Sequence, residues 1–194
     1  VTGLFGVQSY IKIPAKQITK VDETFAQTWH LGILGMPGMT AYFGLLEKGQ
    51  LKDNESVFVS GASGMVGALV GQIAKIKGCK VVGSTSSNDK GEYLTSELKF
   101  DAAINYNIEE MIPALKKVLP NGIDVFFDNV GGSTLDAGLA CIAQNARIVI
   151  CGAISQYNNT TIEGPKNYLK LLTHRGTMSG MVVFDYAQQY PEAI

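Results

Sequence analysis

A glycine-rich stretch that follows a short apolar run has the residue types needed to hold a phosphate. VFVSGASGMVGALVGQIAK covers residues 57–75, with glycines at 61, 64 and 67. Where a strand ends in such a turn and a helix begins, backbone N–H groups face an anion, and the helix N-terminus adds about half a positive charge. Gly64 would let a pyrophosphate approach the backbone, and Gly67 would let the helix pack on the strand.

The spacing of this turn leaves two interpretations open. The G-x-G-x-x-G pattern of dinucleotide sites needs a glycine at position 62, where Ala62 stands, and Gly61 lies one place early. The pattern therefore also fits a tight strand-to-helix bend, which every α/β fold needs. A strand before the turn, a helix after it and further β-α units along the chain favour a dinucleotide.

The elements around the turn alternate between β-branched runs and helical periodicity. The sequence predicts strands at 56–60, 80–84, 102–106, 123–130 and 146–152, and helices at 65–77, 89–98, 108–119 and 133–141. A helix at 165–173 and a sixth strand within 176–184 follow. Solidly apolar strands joined by helices predict an α/β fold, a doubly wound parallel sheet of the Rossmann type with about six strands.

The residues after the second predicted strand indicate which dinucleotide would bind. An NAD site places Asp or Glu there to accept from the ribose 2′-hydroxyl. Here residues 83–90 read GSTSSNDK, which offers hydroxyl donors and then Lys90. We therefore predict NADP(H), with Lys90 near the 2′-phosphate. Two alternatives stay open: Lys90 is a solvated helix residue, and Asp89 is the N-cap of the next helix.

Composition excludes several classes of partner. The chain has 194 residues, 46% of them hydrophobic and 17% charged, with a net charge of −1. These values suit a globular protein without a basic patch, so no nucleic-acid partner is expected. No signal peptide or membrane span is predicted. Three isolated cysteines favour a reducing cytoplasm.

The ends of the chain suggest an excised piece of a longer protein, because it lacks an initiator Met and stops at YPEAI. We expect residues 1–20 to be a strand and linker from an N-terminal domain, and residues 21–194 to be the dinucleotide-binding domain. The last strand, if it lies at the edge of the sheet, could pair with a second copy to form a homodimer.

Several motifs in order resemble one family. LGMPGMTAYFGLLEKG, VGQIAKIKGCKVVG, FDAAINY, GIDVFFDNVGG and ARIVICGAISQYN are similar to the zinc-independent medium-chain reductases. The resemblance is strongest to the prostaglandin reductase (leukotriene B4 12-hydroxydehydrogenase) group and its bacterial relatives, including curcumin reductase. It implies NADPH-dependent reduction of the carbon–carbon double bond of α,β-unsaturated ketones or aldehydes. It also implies a GroES-like domain before this one and more sheet and helix after it.

The same resemblance implies which residues contact the cofactor. It places the pyrophosphate on the glycine turn, the 2′-phosphate near a lysine and a tyrosine, the body of the cofactor along two loops, and the nicotinamide near the last strand. The pyrophosphate residues are Gly64, Met65, Val66 and Gly67, and the 2′-phosphate residues are Lys90 and Tyr106. The residues along the body of the cofactor are Asn129, Cys151, Gly152, Ala153, Ile154, Ser155, Gln156 and Tyr157. Those near the nicotinamide are Met181, Val182 and Val183.

The chemistry of such a reduction points to a hydrogen-bond donor. Hydride arriving at the β-carbon drives negative charge onto the carbonyl oxygen, which a tyrosine hydroxyl or the cofactor ribose could stabilise. Tyr157, beyond the fifth strand, is the candidate catalytic residue, and a tyrosine packed at a loop edge is the alternative. Thr40 and Tyr42 are second candidates for lining the cleft, although an apolar helix there also suits the core.

Metal and nucleophilic chemistry find little support in the sequence. His30 and His174 are far apart, and LGILGMPGMTAYFG holds no Cys or His where zinc-dependent relatives place a ligand, so we expect no metal. Cys151 is expected to be a small buried residue. Beside the enone reductase, a quinone reductase and a non-catalytic NADPH-binding module remain as alternatives.

Overall fold

One six-stranded parallel sheet forms the centre of the computed structural model, which describes residues 1–3 and 6–194. The strand order is β3-β2-β1-β4-β5-β6, so the chain winds outward in both directions from β1, and the switch point lies between β1 and β4. This confirms the predicted doubly wound sheet of about six strands. The strands are β1 (Ser56–Val59), β2 (Lys80–Thr85), β3 (Ala102–Asn105), β4 (Ile123–Asp128), β5 (Ile142–Ile150) and β6 (Thr177–Gly180).

Helices cover both faces of this sheet, and each connects two parallel strands or leads into the first. The helices are α1 (Met36–Phe43), α2 (Met65–Ile76), α3 (Asn88–Ser96), α4 (Met111–Val118), α5 (Gly132–Leu139) and α6 (Leu169–His174). A π-helical turn, Gly44–Lys48, continues α1, and 3-10 turns occupy Ala15–Gln17, Gln27–Leu31 and Val183–Glu192.

The central strand shows why its sequence is apolar throughout. Val57, Phe58 and Val59 of β1 are all fully buried. Successive side chains of a strand point to opposite faces, so Val57 and Val59 pack with the layer of α1, α2 and α3, while Phe58 packs with the layer of α4, α5 and α6. Two hydrophobic cores therefore fix the sheet from both sides, and its polar groups are left at the strand ends.

Most element boundaries lie within a few residues of their prediction, and two helices begin later. A turn in which the amides of Ile108 and Glu109 donate to the Asn105 carbonyl delays α4 to Met111. The predicted helix from residue 165 begins only at Leu169, because the Asn167 amide is held by the Asp136 carboxylate at 2.7 Å. In each case a hydrogen bond to a preceding loop or helix competes with the helical pattern.

The N-terminal segment was wrongly expected to contain a strand. Among residues 1–3 and 6–20 the structure has one antiparallel bridge, between Thr2 and Thr19, and the short 3-10 turn Ala15–Gln17. Residues 4 and 5 lie outside the described part of the chain. No helix in that described part has the length and apolarity needed to cross a bilayer.

The amino edge of the sheet is held together by one arginine. The Arg147 guanidinium donates to the Gly49, Gln50 and Asp124 carbonyls and pairs with the Glu55 carboxylate at 2.5 Å. Both partners of this ion pair are largely buried. The pair therefore joins the segment before β1 to β4 and β5. Its two charges neutralise each other within the protein.

Two helical glycines provide a matched test of how closely the helices pack on their neighbours. A Cβ at Gly71 of α2 would lie 1.9 Å from the ring of the buried Phe100, whereas a Cβ at Gly91 of α3 would meet nothing closer than 3.4 Å. We expect Gly71→Ala to lower the free energy of unfolding by about 1 to 3 kcal/mol through overpacking. Gly91→Ala should raise it by up to about 1 kcal/mol through helix propensity. Urea denaturation measures both, and a Gly71→Ala protein as stable as the parent would contradict the described packing.

Candidate functional site

The glycine turn lies at the carboxyl edge of the sheet, between β1 and α2. Gly61 adopts φ +58°, a left-handed conformation that favours glycine, and starts the turn. A Cβ at Gly67 would lie 2.6 Å from the Gly61 carbonyl oxygen and 2.8 Å from the Ala62 Cα, so only glycine lets α2 begin this close to the turn. The expected role of Gly67 in close packing agrees with this geometry.

The backbone at the start of α2 is open on its outer side. Gly64 is exposed, and a Cβ there would meet only the Gly61 carbonyl oxygen, at 3.3 Å. Gly64 is also the N-cap and has no side chain to accept from the amides of Met65 and Val66, the first residues of the helix. A helix offers no internal acceptor for such amides, so this turn presents donors that an anion could use.

A buried carboxylate lies at the switch point beside this turn. Asp128, at the end of β4, is fully buried and accepts from the Ser60 hydroxyl at 2.5 Å and from the Val130 and Gly131 amides at 3.0–3.2 Å. Burial raises the pKa of Asp128, and these hydrogen bonds partly offset the rise. The carboxylate therefore joins the turns that follow β1 and β4.

Asn129 completes the connection between these two turns. Its amide N–H donates to the Ser60 hydroxyl oxygen, and its side-chain Nδ2 donates to the Ser60 carbonyl, both at 2.8 Å. The prediction from the resemblance places Asn129 along a cofactor. In the structure its side-chain donor is engaged by the protein, so its visible role is to fix the edge of the crevice.

The sequence suggested that the hydroxyl groups at and after the end of β2 would face a ligand, but not all of them are available. The Ser84 and Thr85 side chains are buried, and neither hydroxyl has a partner within the described chain. Ser87 caps α3, with its hydroxyl accepting from the Lys90 amide at 3.4 Å. Ser87 rather than Asp89 is thus the N-cap, and only the Ser86 and Ser87 hydroxyls lie near the surface of this turn.

Lys90 is an unpaired cation at this edge. Its side chain is exposed, and its Nζ lies 3.5 Å from the Ser86 hydroxyl, at the limit of a hydrogen bond. No carboxylate in residues 1–3 and 6–194 lies within ion-pair distance of it, although Lys75, Lys77 and Arg147 each have one. Asp89 lies in the first turn of α3, where an acidic residue suits the helix dipole.

Tyr106 lies directly beyond β3, next to this lysine-bearing turn. Its ring is 44% exposed, and its amide donates to the Thr85 carbonyl at 3.1 Å, continuing the ladder between β2 and β3. The structure thus places the β2–α3 turn with Lys90 and the β3–α4 turn with Tyr106 side by side at the carboxyl edge. Lys90 and Tyr106, which the resemblance assigns to the 2′-phosphate, therefore belong to neighbouring turns.

The loop after β5 folds back over the turn that follows β4. The Ser155 hydroxyl and amide both donate to the Val130 carbonyl, and the Tyr157 hydroxyl oxygen accepts from the Ala153 amide at 3.1 Å. Tyr157 is 68% exposed, and because its oxygen accepts from the backbone, its proton remains free to donate outward. Gln156 is half-buried and Ile154 is exposed.

Cys151 and the residues after β6 contribute mostly to the core. Burial, with a smaller effect of the Asp128 charge, raises the pKa of the half-buried Cys151 thiol to about 11, which suits the expected inert residue. Met181 and Val183 are buried in the core, and only Val182 of that run is exposed. The resemblance places this run near the nicotinamide, and that placement stays a prediction.

The remaining candidates are engaged elsewhere. The Thr40 hydroxyl donates to the Met36 carbonyl within α1 and is nearly buried, and the Tyr42 ring packs edge-on against Phe43, so both belong to the core. His30 bonds through Nε2 to the Asp22 carbonyl, and His174 through Nδ1 to a neighbouring hydroxyl. In the described ranges no three His, Cys, Asp or Glu side chains come together as a metal site would require.

A separate cavity of about 700 Å³ lies away from this edge. Its walls are largely apolar and include Phe25, Met36, Met39 and Phe184. None of the predicted site residues lines it. The candidate site is the carboxyl edge, because strand ends at a switch point place side-chain donors and backbone amides together.

Comparison with known proteins identifies the family. A family model described as zinc-binding dehydrogenase matches residues 66–194. The chain belongs to this family. Among residues 1–3 and 6–194 no three candidate zinc ligands come together, and the names of several relatives specify NADP.

Three of these relatives illustrate the likeness. The NADP(+)-dependent 2-alkenal reductase of Nicotiana tabacum is 48% identical over 99% of this chain and 57% of its own length. Prostaglandin reductase 1 of Rattus norvegicus is 49% identical over 77% of this chain and 44% of its own. CurA of Vibrio vulnificus, solved in complex with NADPH, superposes with a TM-score of 0.80 at 42% identity, covering 86% of this chain and 51% of that one.

These identities confirm the resemblance that the motifs predicted. The chain spans about half the length of the curated relatives it matches. The residues that sequence reasoning missed are Ser60 and Asp128. The sequence contained a signal for them: a polar residue follows β1 directly, and an acid ends β4. Because both strands end at the switch point, these two side chains could be expected to meet there.

The thiol of Cys151 provides a test of this edge in solution. With a pKa of about 11, only about one thiol in a thousand is ionised at pH 8. Iodoacetamide should therefore modify Cys151 slowly in the native protein, with a rate that rises about tenfold per pH unit from pH 8 to 10. Peptide mass spectrometry measures the rate, and the urea-unfolded chain is the control. A rate that levels off below pH 9 would contradict the burial.

Proposed function

We propose that the chain is the NADP(H)-binding part of an oxidoreductase. The whole enzyme reduces the carbon–carbon double bond of α,β-unsaturated ketones or aldehydes by hydride transfer to the β-carbon. A small-molecule enone or enal is the substrate, and no metal takes part. The names of the relatives, an alkenal reductase and a prostaglandin reductase, support this class of reaction.

One observation carries the assignment of the cofactor. The turn after β2 has no acidic residue before α3, and Lys90 in the first turn of α3 has no carboxylate partner in the described structure. An acid at this place would accept from the 2′-hydroxyl of NAD, whereas a free ammonium group attracts the 2′-phosphate of NADP. The exposed phenol of Tyr106 on the adjacent turn adds a second donor.

The rest of the carboxyl edge has room and donors for the same ligand. The uncapped amides of Met65 and Val66, beside the open Gly64, suit the pyrophosphate, and Asn129 and the loop from Cys151 to Tyr157 border the crevice that runs from them. Met181 and Val183 would support the nicotinamide end from the core, with Val182 exposed beside them.

Within this proposal, Tyr157 stabilises the charge that develops on the substrate carbonyl. The bound cofactor supplies the hydride. The Ala153 amide holds the phenol oxygen of Tyr157 at 3.1 Å, which orients the ring and leaves its proton to donate to an oxyanion. The cofactor ribose hydroxyl is the alternative donor, and replacing Tyr157 by Phe in kinetic assays distinguishes the two.

We further propose how the chain is organised and where it works. Residues 21–194 form the cofactor domain, with residues 1–20 as a linker, and a second copy pairs along the exposed edge strand β6 to give a homodimer. Three free cysteines fit the cytoplasm. Light scattering that shows a monomer would refute the dimer, and cell fractionation checks the compartment.

Substitution of Lys90 tests the cofactor assignment directly. We expect Lys90→Ala to weaken NADPH binding several-fold and to leave NADH binding nearly unchanged, because only the 2′-phosphate loses a partner. Fluorescence titration of the 194-residue chain measures both affinities. Lys117→Ala, at an exposed lysine in the last turn of α4 near the opposite edge, is the control and should alter neither. Equal losses for both cofactors in Lys90→Ala would count against the proposal.

Turnover separates the enone reductase from its rivals. With the full-length gene product, NADPH oxidation should be faster with 3-buten-2-one than with 1,4-benzoquinone, after subtraction of the rate without protein. Faster turnover of the quinone would favour a quinone reductase. Binding of NADPH with no turnover of either compound would favour a binding module, because binding alone moves no hydride.

A further inference from the structure

We propose that Asn105 is a positioning residue that sets the preference for NADP(H) over NAD(H). It fastens the turn that carries Tyr106 to the turn that carries Lys90. This inference rests on the proposed function, since it concerns how the 2′-phosphate would be recognised. Asn105 itself is nearly buried and would not touch the phosphate.

The side chain of Asn105 makes one bond to each of the two turns. Its Nδ2 donates to the Asn88 side-chain oxygen at 2.7 Å, and its Oδ1 accepts from the Asn107 amide at 3.1 Å. Asn88 is the first residue of α3, two positions before Lys90, and Asn107 directly follows Tyr106. One side chain therefore spans from the base of the lysine-bearing helix to the backbone beside the tyrosine.

A second bridge repeats the connection on the other side of Tyr106. The Asn107 Nδ2 donates to the Ser86 carbonyl at 2.8 Å, and the Ser86 hydroxyl lies 3.5 Å from the Lys90 ammonium group. The Tyr106 amide is itself bonded to the Thr85 carbonyl. Tyr106 is thus held by its own backbone and by both flanking asparagines, while its ring stays free at the surface.

Burial makes the Asn105 bridge the stronger of the two. Asn105 is 8% exposed, whereas Asn88 and Asn107 are exposed, and a hydrogen bond shielded from water is harder to replace by solvent. The Asn105 amide also donates to the Glu109 carboxylate at 3.0 Å, so that acid is bonded to the backbone of this turn. Without the Asn105 side chain, the two turns would keep only their surface bridge and the strand ladder.

The test compares affinities for NADPH and NADH in the 194-residue chain. We expect Asn105→Ala to weaken NADPH binding about 3- to 10-fold while NADH binding changes less than about twofold, because only the 2′-phosphate depends on the spacing of the two turns. Asn88→Ala, which removes the acceptor from the exposed side, should act in the same direction and keeps the test valid if Asn105→Ala folds poorly. Asn121→Ala, an exposed asparagine before β4, is the control and should leave both affinities unchanged.

A background variant shows whether Asn105 acts through its neighbours. In a chain that already carries Lys90→Ala and Tyr106→Ala, adding Asn105→Ala should cause no further loss of NADPH affinity. A further loss there, or equal losses for both cofactors in Asn105→Ala and Asn88→Ala, would overturn the inference and leave Asn105 a general structural residue. If the parent chain prefers NADPH and the Asn105→Ala and Asn88→Ala variants keep the same ratio of NADPH to NADH affinity, the inference is overturned and the proposed function is not. A parent chain without preference would overturn the proposed function and the inference with it.

Discussion

The carboxyl edge of this sheet depends on a fully buried carboxylate at the switch point. Asp128 collects the Ser60 hydroxyl and two backbone amides, and through Ser60 it fixes Asn129. A buried charge is tolerated only where donors surround it, so the two turns must hold this arrangement or leave the group unsatisfied. The crevice between β1 and β4 therefore has rigid walls formed by the protein's own hydrogen bonds.

Much of this architecture could be predicted from the sequence, and the reasons for the exceptions are physical. The β1 run and the glycine turn were predictable because a strand buried on both faces needs a continuous apolar run, and a helix that starts at a strand end needs glycine at position 67. The start of α4 was not predictable, because the Asn105 carbonyl accepts from the amides of Ile108 and Glu109, which hydrophobic periodicity assigns to the helix. Local side-chain and backbone hydrogen bonds decide such boundaries, and a hydrophobic pattern does not record them.

The site was only partly predictable for a related reason. The sequence correctly placed Lys90 and Tyr106 after strands that end at the carboxyl edge, since topology alone determines that. It could not reveal that the Ser84 and Thr85 side chains at the end of β2 are buried, or that Met181 and Val183 enter the core beyond β6, because packing decides which side chains are covered where a strand ends. The asparagine bridges between the turns were equally hidden, since asparagine in a loop fits many roles.

Arg147 at the amino edge of the sheet and Lys90 at the carboxyl edge differ in whether a carboxylate pairs with them. At the amino edge, the Arg147 guanidinium contacts three backbone carbonyls and the largely buried Glu55 carboxylate, so its charge is neutralised within the protein. At the carboxyl edge, Lys90 has no such carboxylate in the described structure. An ammonium group without a carboxylate partner attracts small anions from the solution. Phosphate or sulfate in a buffer therefore competes with a phosphorylated ligand for binding to Lys90. Because exposed charges are screened over about 8 Å at physiological ionic strength, the concentration of salt, as well as the kind of anion, will alter the apparent affinity measured for any phosphorylated ligand there.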